Sequence, residues 1–397
     1  MPPSKWRIVP FGELVENFDF VRVPVKEADR RVGPFPYYGA SGVVDSVDQY
    51  LFDGEYLLVA EDGENLRTRT TPVAFVANGK FWVNNHAHIV RGNQHADTRF
   101  LQYALANSDI GGFLTGSTMP KLTQGNLNRI TVLAPTLPEQ RAIARVLGAL
   151  DDKIELNRRM NETLESMARA IFKSWFIDFD PVRSKLEGRH PAGMDVETAA
   201  LFPASFVDSP VGRIPANWWC CKWGDIATLE YGKGLRGYSE SGGEYRVYGT
   251  NGPIGWHTLP LCNRPGIVIG RKGAYRGVHL SRAPFFVIDT AFYLNPKIEL
   301  DLIWTFHEVS ALDINGMDSG SAIPSTSRPD FYGLPVVLPP TLVLREFGKL
   351  VQPFCAKMEA NSGESVTLAS IRDTLLPKLL SGDIRIRDAE NQIKAHL

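Results

Sequence analysis

The chain has 397 residues, a formal net charge of −1, and 44% hydrophobic against 22% charged residues, the profile of an ordinary soluble protein of two or three domains, each able to bury its own core. No apolar run approaches a membrane span, the opening MPPSKWRIVPFGEL lacks the regions of a secretory signal, and Cys220, Cys221, Cys262 and Cys355 show no C-x-x-C spacing, so a reduced, cytoplasmic protein without structural zinc or disulfides is expected. A protein that grips nucleic acid unaided usually carries a basic excess, so any basic surface here is local or a partner supplies part of the grip.

Residues 1–135 are rich in short strand-like runs, such as Tyr56–Ala60 and Val73–Val76, broken by Gly, Pro, Asn and Asp, with a helix predicted from Thr98 to Asn107. A long helical region follows over 136–185. Thr136 and Glu139, with Pro138 in the first turn, predict a reciprocal capping box. A 3–4 spacing then runs through Ile143, Leu147, Leu150, Ile154, Asn157, Asn161, Leu164, Ala168, Ile171 and Trp175, one seam that asks for a partner helix. About 40 residues give a rod on the order of 60 Å. Residues 186–215 form a Pro- and Gly-punctuated connector, read either as packed on the helices or as a free linker. A second globular segment spans 216–340, and a second long helical region spans 341–384. Its seam is Phe347, Val351, Phe354, Met358, Asn361, Ser365, Leu368, Arg372, Leu375 and Leu379. Pro353 and Pro377 predict kinks or a local end, and the charged tail, 385–397, is expected to fray.

The order of landmarks repeats. Trp6 and Gly12-Glu13-Leu14 match Trp218 and Gly224-Asp225-Ile226, and Tyr38–Gly42 matches Tyr248–Gly252. Leu57–Gly63 matches Ile267–Gly273, Gly116–Pro120 matches Gly320–Pro324, and Val132–Pro135 matches Val337–Pro340. The two helical seams repeat at a shift of 204, with Lys153 and Asn157 answered by Lys357 and Asn361. The reading is a domain–helix unit written twice, the helices pairing antiparallel with an internal pseudo-two-fold. Polar seam residues would fix their register at some cost in stability.

Several patterns look catalytic. Gly232-Lys233-Gly234-Leu235-Arg236-Gly237 fits G-x-G-x-x-G, but Tyr-Ser-Glu-Ser-Gly-Gly-Glu follows where a helix should open, so a turn is expected. His86 and His88 alternate as strand neighbours, yet their repeat-matched positions are Thr290 and Phe292 and no third ligand is apparent. Asp178 and Asp180 sit beside Pro181 at a helix end, where capping or a subunit contact is the better reading. There is no Walker A loop, and Asn295-Pro296-Lys297-Ile298 lacks the second proline and aromatic of an adenine-methyltransferase motif.

Leu137-Pro138-Glu139-Gln140-Arg141 with Ile143-Ala144, Phe172-Lys173-Ser174-Trp175-Phe176-Ile177-Asp178-Phe179-Asp180-Pro181-Val182, and Ile371–Gly382 (IRDTLLPKLLSG), together with the duplicated layout, resemble the specificity (S) subunits of type I restriction–modification systems. Thr341-Leu342-Val343-Leu344 departs from the Leu-Pro-Glu-Gln start of the first copy, which weakens the capping argument for the second helix. The resemblance implies an α+β protein in which two mixed α/β target-recognition domains, 1–135 and 216–340, each read half of a bipartite, asymmetric DNA site. The helix pair would set the spacer and dock two methyltransferase subunits. It also implies a non-catalytic chain without cofactors: adenine methylation and ATP-dependent cleavage, with S-adenosylmethionine, ATP and Mg, would belong to modification subunits and, where a system has them, restriction subunits. The candidate readers in the first domain are Glu61, Asn65, Arg67 and Arg69, then Lys121, Thr123 and Gln124. In the second they are Arg271, Lys272, Tyr275 and Arg276, then Ser325, Ser327 and Arg328. Each is of a type that meets either base edges or phosphates. The rival readings are a structural coiled-coil scaffold and a stand-alone DNA-modifying enzyme with recognition domains.

Overall fold

The computed structural model of the chain describes residues 6–238, 242–317 and 323–396. They form two compact units, Met1–Arg159 with Asn361–Leu397 and Met160–Ala360. Each long helix therefore contributes residues to both units.

In the first unit the run Tyr56–Ala60 becomes a central strand. It lies in an antiparallel sheet ordered Val15–Asn17, Ala87–Gly92, Tyr56–Ala60, Ala74–Ala77. Alternate residues of this continuous apolar strand serve two cores, as a strand covered on both faces requires. Leu57 and Val59 pack with Phe100, Leu101, Leu127, Ile143, Leu147 and Leu375, whereas Leu58 packs with Phe52, Phe81, Val83 and Ile89. A second sheet runs Gly42–Val47, Phe35–Gly39, Lys80–Val83, Phe52–Asp53, with Phe35–Gly39 parallel to Lys80–Val83. Arg7–Pro10 pairs with Thr131–Ala134 next to the start of the long helix. The predicted helix is present as Thr98–Ala106, capped by Asp97, whose carboxylate accepts the Phe100 N–H at 3.0 Å.

The second unit repeats this order. Its four-stranded sheet runs Ala227–Tyr231, Ala291–Pro296, Gly266–Gly270, Val278–Ser281, and its second sheet Gly252–His257, Tyr245–Gly249, Phe285–Val287. Ile267 and Ile269 enter one core and Val268 the other. Even the irregularity recurs: the register slips between Val247 and Tyr248 as it does between Tyr37 and Tyr38. Of the repeat landmarks, Gly320, Ser321 and Ala322 lie outside the described residues.

The first long helix runs regularly over Leu137–Phe172, passes through a π-helical turn at Lys173–Ile177, and stops at Phe179, whose φ of 55° leaves helical space. A short helix, Asp180–Leu186, follows. The capping box is half formed. The Glu139 carboxylate accepts the Thr136 N–H at 3.0 Å, but the Thr136 hydroxyl donates to that same carboxylate at 2.8 Å instead of accepting a backbone N–H. The second helix is continuous over Thr341–Ser381, so neither Pro353 nor Pro377 ends it. Both prolines are exposed, where water can satisfy the carbonyls they leave unpaired.

The helices pair antiparallel. Within the first unit Arg372 meets Asp151 at 2.7 Å, Lys153 meets Glu364 at 3.3 Å, and the buried Asn157 amide donates to Glu364 at 2.8 Å and to the Asn361 carbonyl at 3.3 Å. Within the second, the Asn161 amide donates to the Met358 carbonyl at 3.2 Å, and Phe172, Trp175 and Phe176 surround the Phe347 ring. The connector is folded: a helix at Val196–Ala200 and a hairpin at Phe206–Ser209 and Gly212–Pro215 seat Phe202 between Trp175 and Trp218. The tail is not frayed through His396 either. Ile386–His396 is helical, and Ile384, Ile386, Ala389 and Ile393 form a stripe on the first unit's core, a 3–4 apolar period that its charge obscured.

Candidate nucleic-acid interface

Two loops that are remote in sequence are stitched together in each unit. In the first, the chain leaving the central strand turns at Gly63 (φ 112°), a conformation that favours glycine. Glu61 N–H donates to the His86 carbonyl at 2.9 Å, Leu122 N–H to the Glu61 carbonyl at 2.8 Å, and Gly63 N–H to the Pro120 carbonyl at 3.1 Å. In the second unit Arg271 N–H meets the Thr290 carbonyl, Thr326 N–H the Arg271 carbonyl, and Gly273 N–H the Pro324 carbonyl, each at 2.9 Å. Glu61 is thereby brought beside Lys121, Thr123 and Gln124, and Arg271 beside Ser325, Ser327 and Arg328. The sequence named these groups without showing that they meet.

In the first unit the side chains form a closed charge network. Glu61 accepts from Arg22 at 2.7 Å and from Lys121 at 3.1 Å. His88, 2% exposed, places Nδ1 2.6 Å from Asp19 and Nε2 2.8 Å from the Leu122 carbonyl. Both partners are acceptors, so both ring nitrogens must donate and the imidazole is held as the cation. Burial pushes its pKa down, but Asp19, Leu122 and Glu61 outweigh that and raise it. Likewise burial pushes the Asp19 and Glu61 carboxyls up, and their hydrogen bonds, chiefly to His88 and Arg22, hold them below the usual range. His86 instead faces Asp62 at 2.8 Å, so the two histidines do not converge. No metal-holding group of His, Cys, Asp and Glu occurs among the described residues.

The other first-unit candidates divide by what they touch. Asn65 spends both ends of its amide on Thr71, at 3.0 and 2.9 Å, and so shapes its own loop. Arg67 reaches Glu64 at 3.4 Å and the Gly116 carbonyl at 3.2 Å. Arg69 reaches the Ser108 carbonyl at 2.7 Å and lines a cleft of about 910 Å³ with Arg99, Tyr103, Asp151 and Arg372. Thr123 caps Gln124–Arg129, and Gln124 is exposed on its first turn.

In the second unit the same face is cationic and aromatic. Arg271 lies over the Tyr231 ring at 4.8 Å and the Phe292 ring at 5.6 Å, and Arg328 lies over Tyr231 at 4.9 Å and Tyr332 at 5.7 Å. Such stacking is attractive and fixes the guanidinium plane. Lys272 is 3.9 Å from Asp289, Tyr275 is 80% exposed, and Ser325 bridges Lys272 through the backbone. Ser327 caps Arg328–Gly333 as Thr123 caps its helix. Arg276 departs from expectation. It is 3% exposed and donates to the Asn315 carbonyl at 2.6 Å, so it supports the loop from below rather than facing outward.

Strand register aligns the two faces residue by residue. Asn17 pairs with Val90 as Leu229 pairs with Leu294, and Leu58 pairs with Ile89 as Val268 pairs with Tyr293. Hence Glu61 and His88 occupy the places of Arg271 and Phe292, Asp19, in a turn two residues past its paired strand, takes the place of Tyr231, and Gln124 answers Arg328 as the residue after the N-cap of its helix. Sequence reasoning missed Asp19, Arg22, Tyr231 and Tyr332: Asp19 and Arg22 come from a 3-10 turn and Tyr231 from a strand end, both remote from the loops in sequence, and Tyr332 lies one helical turn beyond Arg328.

Of the set-aside patterns, the described part of the glycine run, Gly232–Tyr238, contains no helix; Ser239, Glu240 and Ser241 lie outside the described residues. Asp178 pairs with Lys173, and Asp180 accepts from the Ser174 hydroxyl at 2.8 Å, so the two carboxylates serve the helix end. No helix among the described residues is long and apolar enough to cross a membrane.

Residues 3–166 match a family described as the type I restriction modification DNA specificity domain. The type I restriction enzyme MjaIX specificity subunit of Methanocaldococcus jannaschii is 25% identical over 84% of this chain and 80% of its own length. A putative type I restriction enzyme specificity subunit of Haemophilus influenzae is 38% identical over 37% of each chain. In fold, the chain is similar to the type I restriction–modification S subunit of M. genitalium, with a TM-score of 0.61, 18% identity, and 94% and 96% of the two chains covered.

Proposed function

We propose that the chain is a specificity subunit of a type I restriction–modification system and that its two sheet-rich domains, 1–135 and 216–340, read the two halves of one split DNA site. One observation carries the proposal: the central four-stranded sheet recurs in the same strand order, while the loops at one edge carry an ion-paired network in one copy and stacked arginines in the other. Repeated frameworks with diverged loops are how one fold reads different targets. Different loop chemistry asks for different base sequences, so the site is asymmetric.

The antiparallel helices act as spacer and platform. Helices of 36 and 41 residues would span about 54 and 62 Å at roughly 1.5 Å per residue, longer than the repeat of about 34 Å at which one groove face recurs. Two methyltransferase subunits dock on them, and restriction subunits join where the system has them. Adenine methylation, ATP-dependent cleavage, and the binding of S-adenosylmethionine, ATP and Mg lie in those partners, inside the cell. The net charge of −1 supports this division, since partners would then supply much of the phosphate contact.

The test is methyl transfer to DNA by the purified chain, by its cognate methyltransferase subunit, and by both together. Sequence-specific transfer only in the mixture is expected. Transfer by the chain alone would overturn the proposal.

A further inference from the structure

We infer that Tyr231 is a positioning residue whose ring holds Arg271 and Arg328 as a paired guanine reader for the half-site of the second domain. The inference rests on the DNA-reading function proposed above and adds a base identity and a residue outside the two reader loops.

Tyr231 ends the strand Ala227–Tyr231 and is 47% exposed, and the buried Phe292 ring supports it at 5.0 Å. Both guanidinium carbons lie within 5 Å of its centroid. Each arginine is also tethered at one point: Arg271 through Nη1 to the Asp289 carbonyl at 3.1 Å, and Arg328 through Nε to the Tyr332 hydroxyl at 3.2 Å. The Tyr332 hydroxyl is in turn fixed by the Leu229 N–H at 2.9 Å. Among the described residues, neither arginine has a carboxylate at ion-pair distance.

A guanidinium fixed in plane over a ring, with donors left on its edge, matches the paired acceptors O6 and N7 of guanine in the major groove. A phosphate needs charge but no fixed plane, and a lysine meets it as a point charge. Two such arginines on one ring address neighbouring base pairs. In the first domain the same places hold Asp19, Glu61, His88 and Gln124, with the acidic members already neutralised by His88, Arg22 and Lys121. The inferred guanine preference therefore belongs to one half-site only.

The experiment uses the full chain assembled with its methyltransferase subunits, as wild type and as Tyr231→Phe, Tyr231→Leu, Arg271→Lys and Arg328→Lys. Each recognition motif is mapped by sequencing methylated DNA, and binding is then measured on duplexes carrying 7-deazaguanine, which lacks the N7 acceptor. Tyr231→Phe, which keeps the ring face, should keep the wild-type motif. The other three should relax one or two neighbouring G·C pairs in a single half-site by roughly 5- to 100-fold in discrimination, leaving the other half and the gap unchanged. 7-Deazaguanine there should weaken the wild type and not the relaxed variants.

Uniform weakening with an unchanged motif would overturn the inference, as phosphate contacts behave that way. So would relaxation at A·T pairs, or Tyr231→Phe behaving like Tyr231→Leu. Should Tyr231→Leu fail to fold by thermal melting, the two lysine variants decide the question through the same change of motif. A wild-type complex with no split motif would overturn the reading beneath the inference, a result the variants cannot mimic.

Discussion

Asp19, Glu61 and His88 tie the first unit's stability to pH from both sides. The folded His88 pKa is raised, so its contribution is complete below the unfolded value of about 6.5 and is lost as pH rises through the folded value. The Asp19 and Glu61 carboxyls are held low, so theirs is complete above the unfolded carboxylate range and is lost as pH falls through their folded values. Urea unfolding should give greatest stability between these limits. His88→Phe, the residue of the matching place, should cost roughly 1–3 kcal/mol by leaving half-buried Asp19 with only the Arg22 guanidinium, 3.5 Å away, and should abolish the alkaline-side loss. At Gly232 the constraint is steric. A Cβ there would stand 2.0 Å from the Ile288 carbonyl oxygen and 2.6 Å from that of Val287, whereas one at Gly234 would meet nothing within 4 Å. Gly232→Ala should therefore cost roughly 1–3 kcal/mol, and Gly234→Ala well under 1 kcal/mol, as read by thermal melting.

At the scale of elements, what was local in sequence was legible and what depended on pairing was not. The long helices, the capped helix at Thr98 and the central strands follow from period, caps and apolar runs. Pro353 and Pro377 misled, because helix-breaking rules presume that the lost carbonyl partner is needed, and on an exposed face water replaces it. Gln140 shows the opposite limit. In sequence it was one letter of a helix start; in the structure it is 1% exposed and holds the Asp97 N–H at 3.0 Å and the Pro135 and His95 carbonyls at 2.9 and 3.1 Å. The repeat-matched residue is the buried Leu344. Gln140→Leu should strand three backbone groups and destabilise the first unit by about 1–3 kcal/mol or more, measured as a shift in denaturation midpoint.

Across the whole molecule, the duplication was readable because landmarks recur in order, and the fold repeats the central four-stranded sheet in the same strand order. The compact units were not readable, since Asn361–Leu397 packs with Met1–Arg159 although it lies at the far end of the chain. Nor was the candidate site complete. Glu61 and Arg271 were found as loop residues, but Asp19 joins the first network from a turn beyond a paired strand and Tyr231 joins the second from the end of one. On the proposed ruler role, inserting one heptad in each long helix should lengthen the gap between half-sites and leave both half-sites as they were. The most direct test of the central claim, two different readers on one repeated scaffold, is to co-express the chain with its cognate methyltransferase subunit and map methylated adenines in the host DNA by single-molecule sequencing. A split motif with a fixed gap and two unlike halves is the result predicted. A continuous palindrome, or two identical halves, would contradict it.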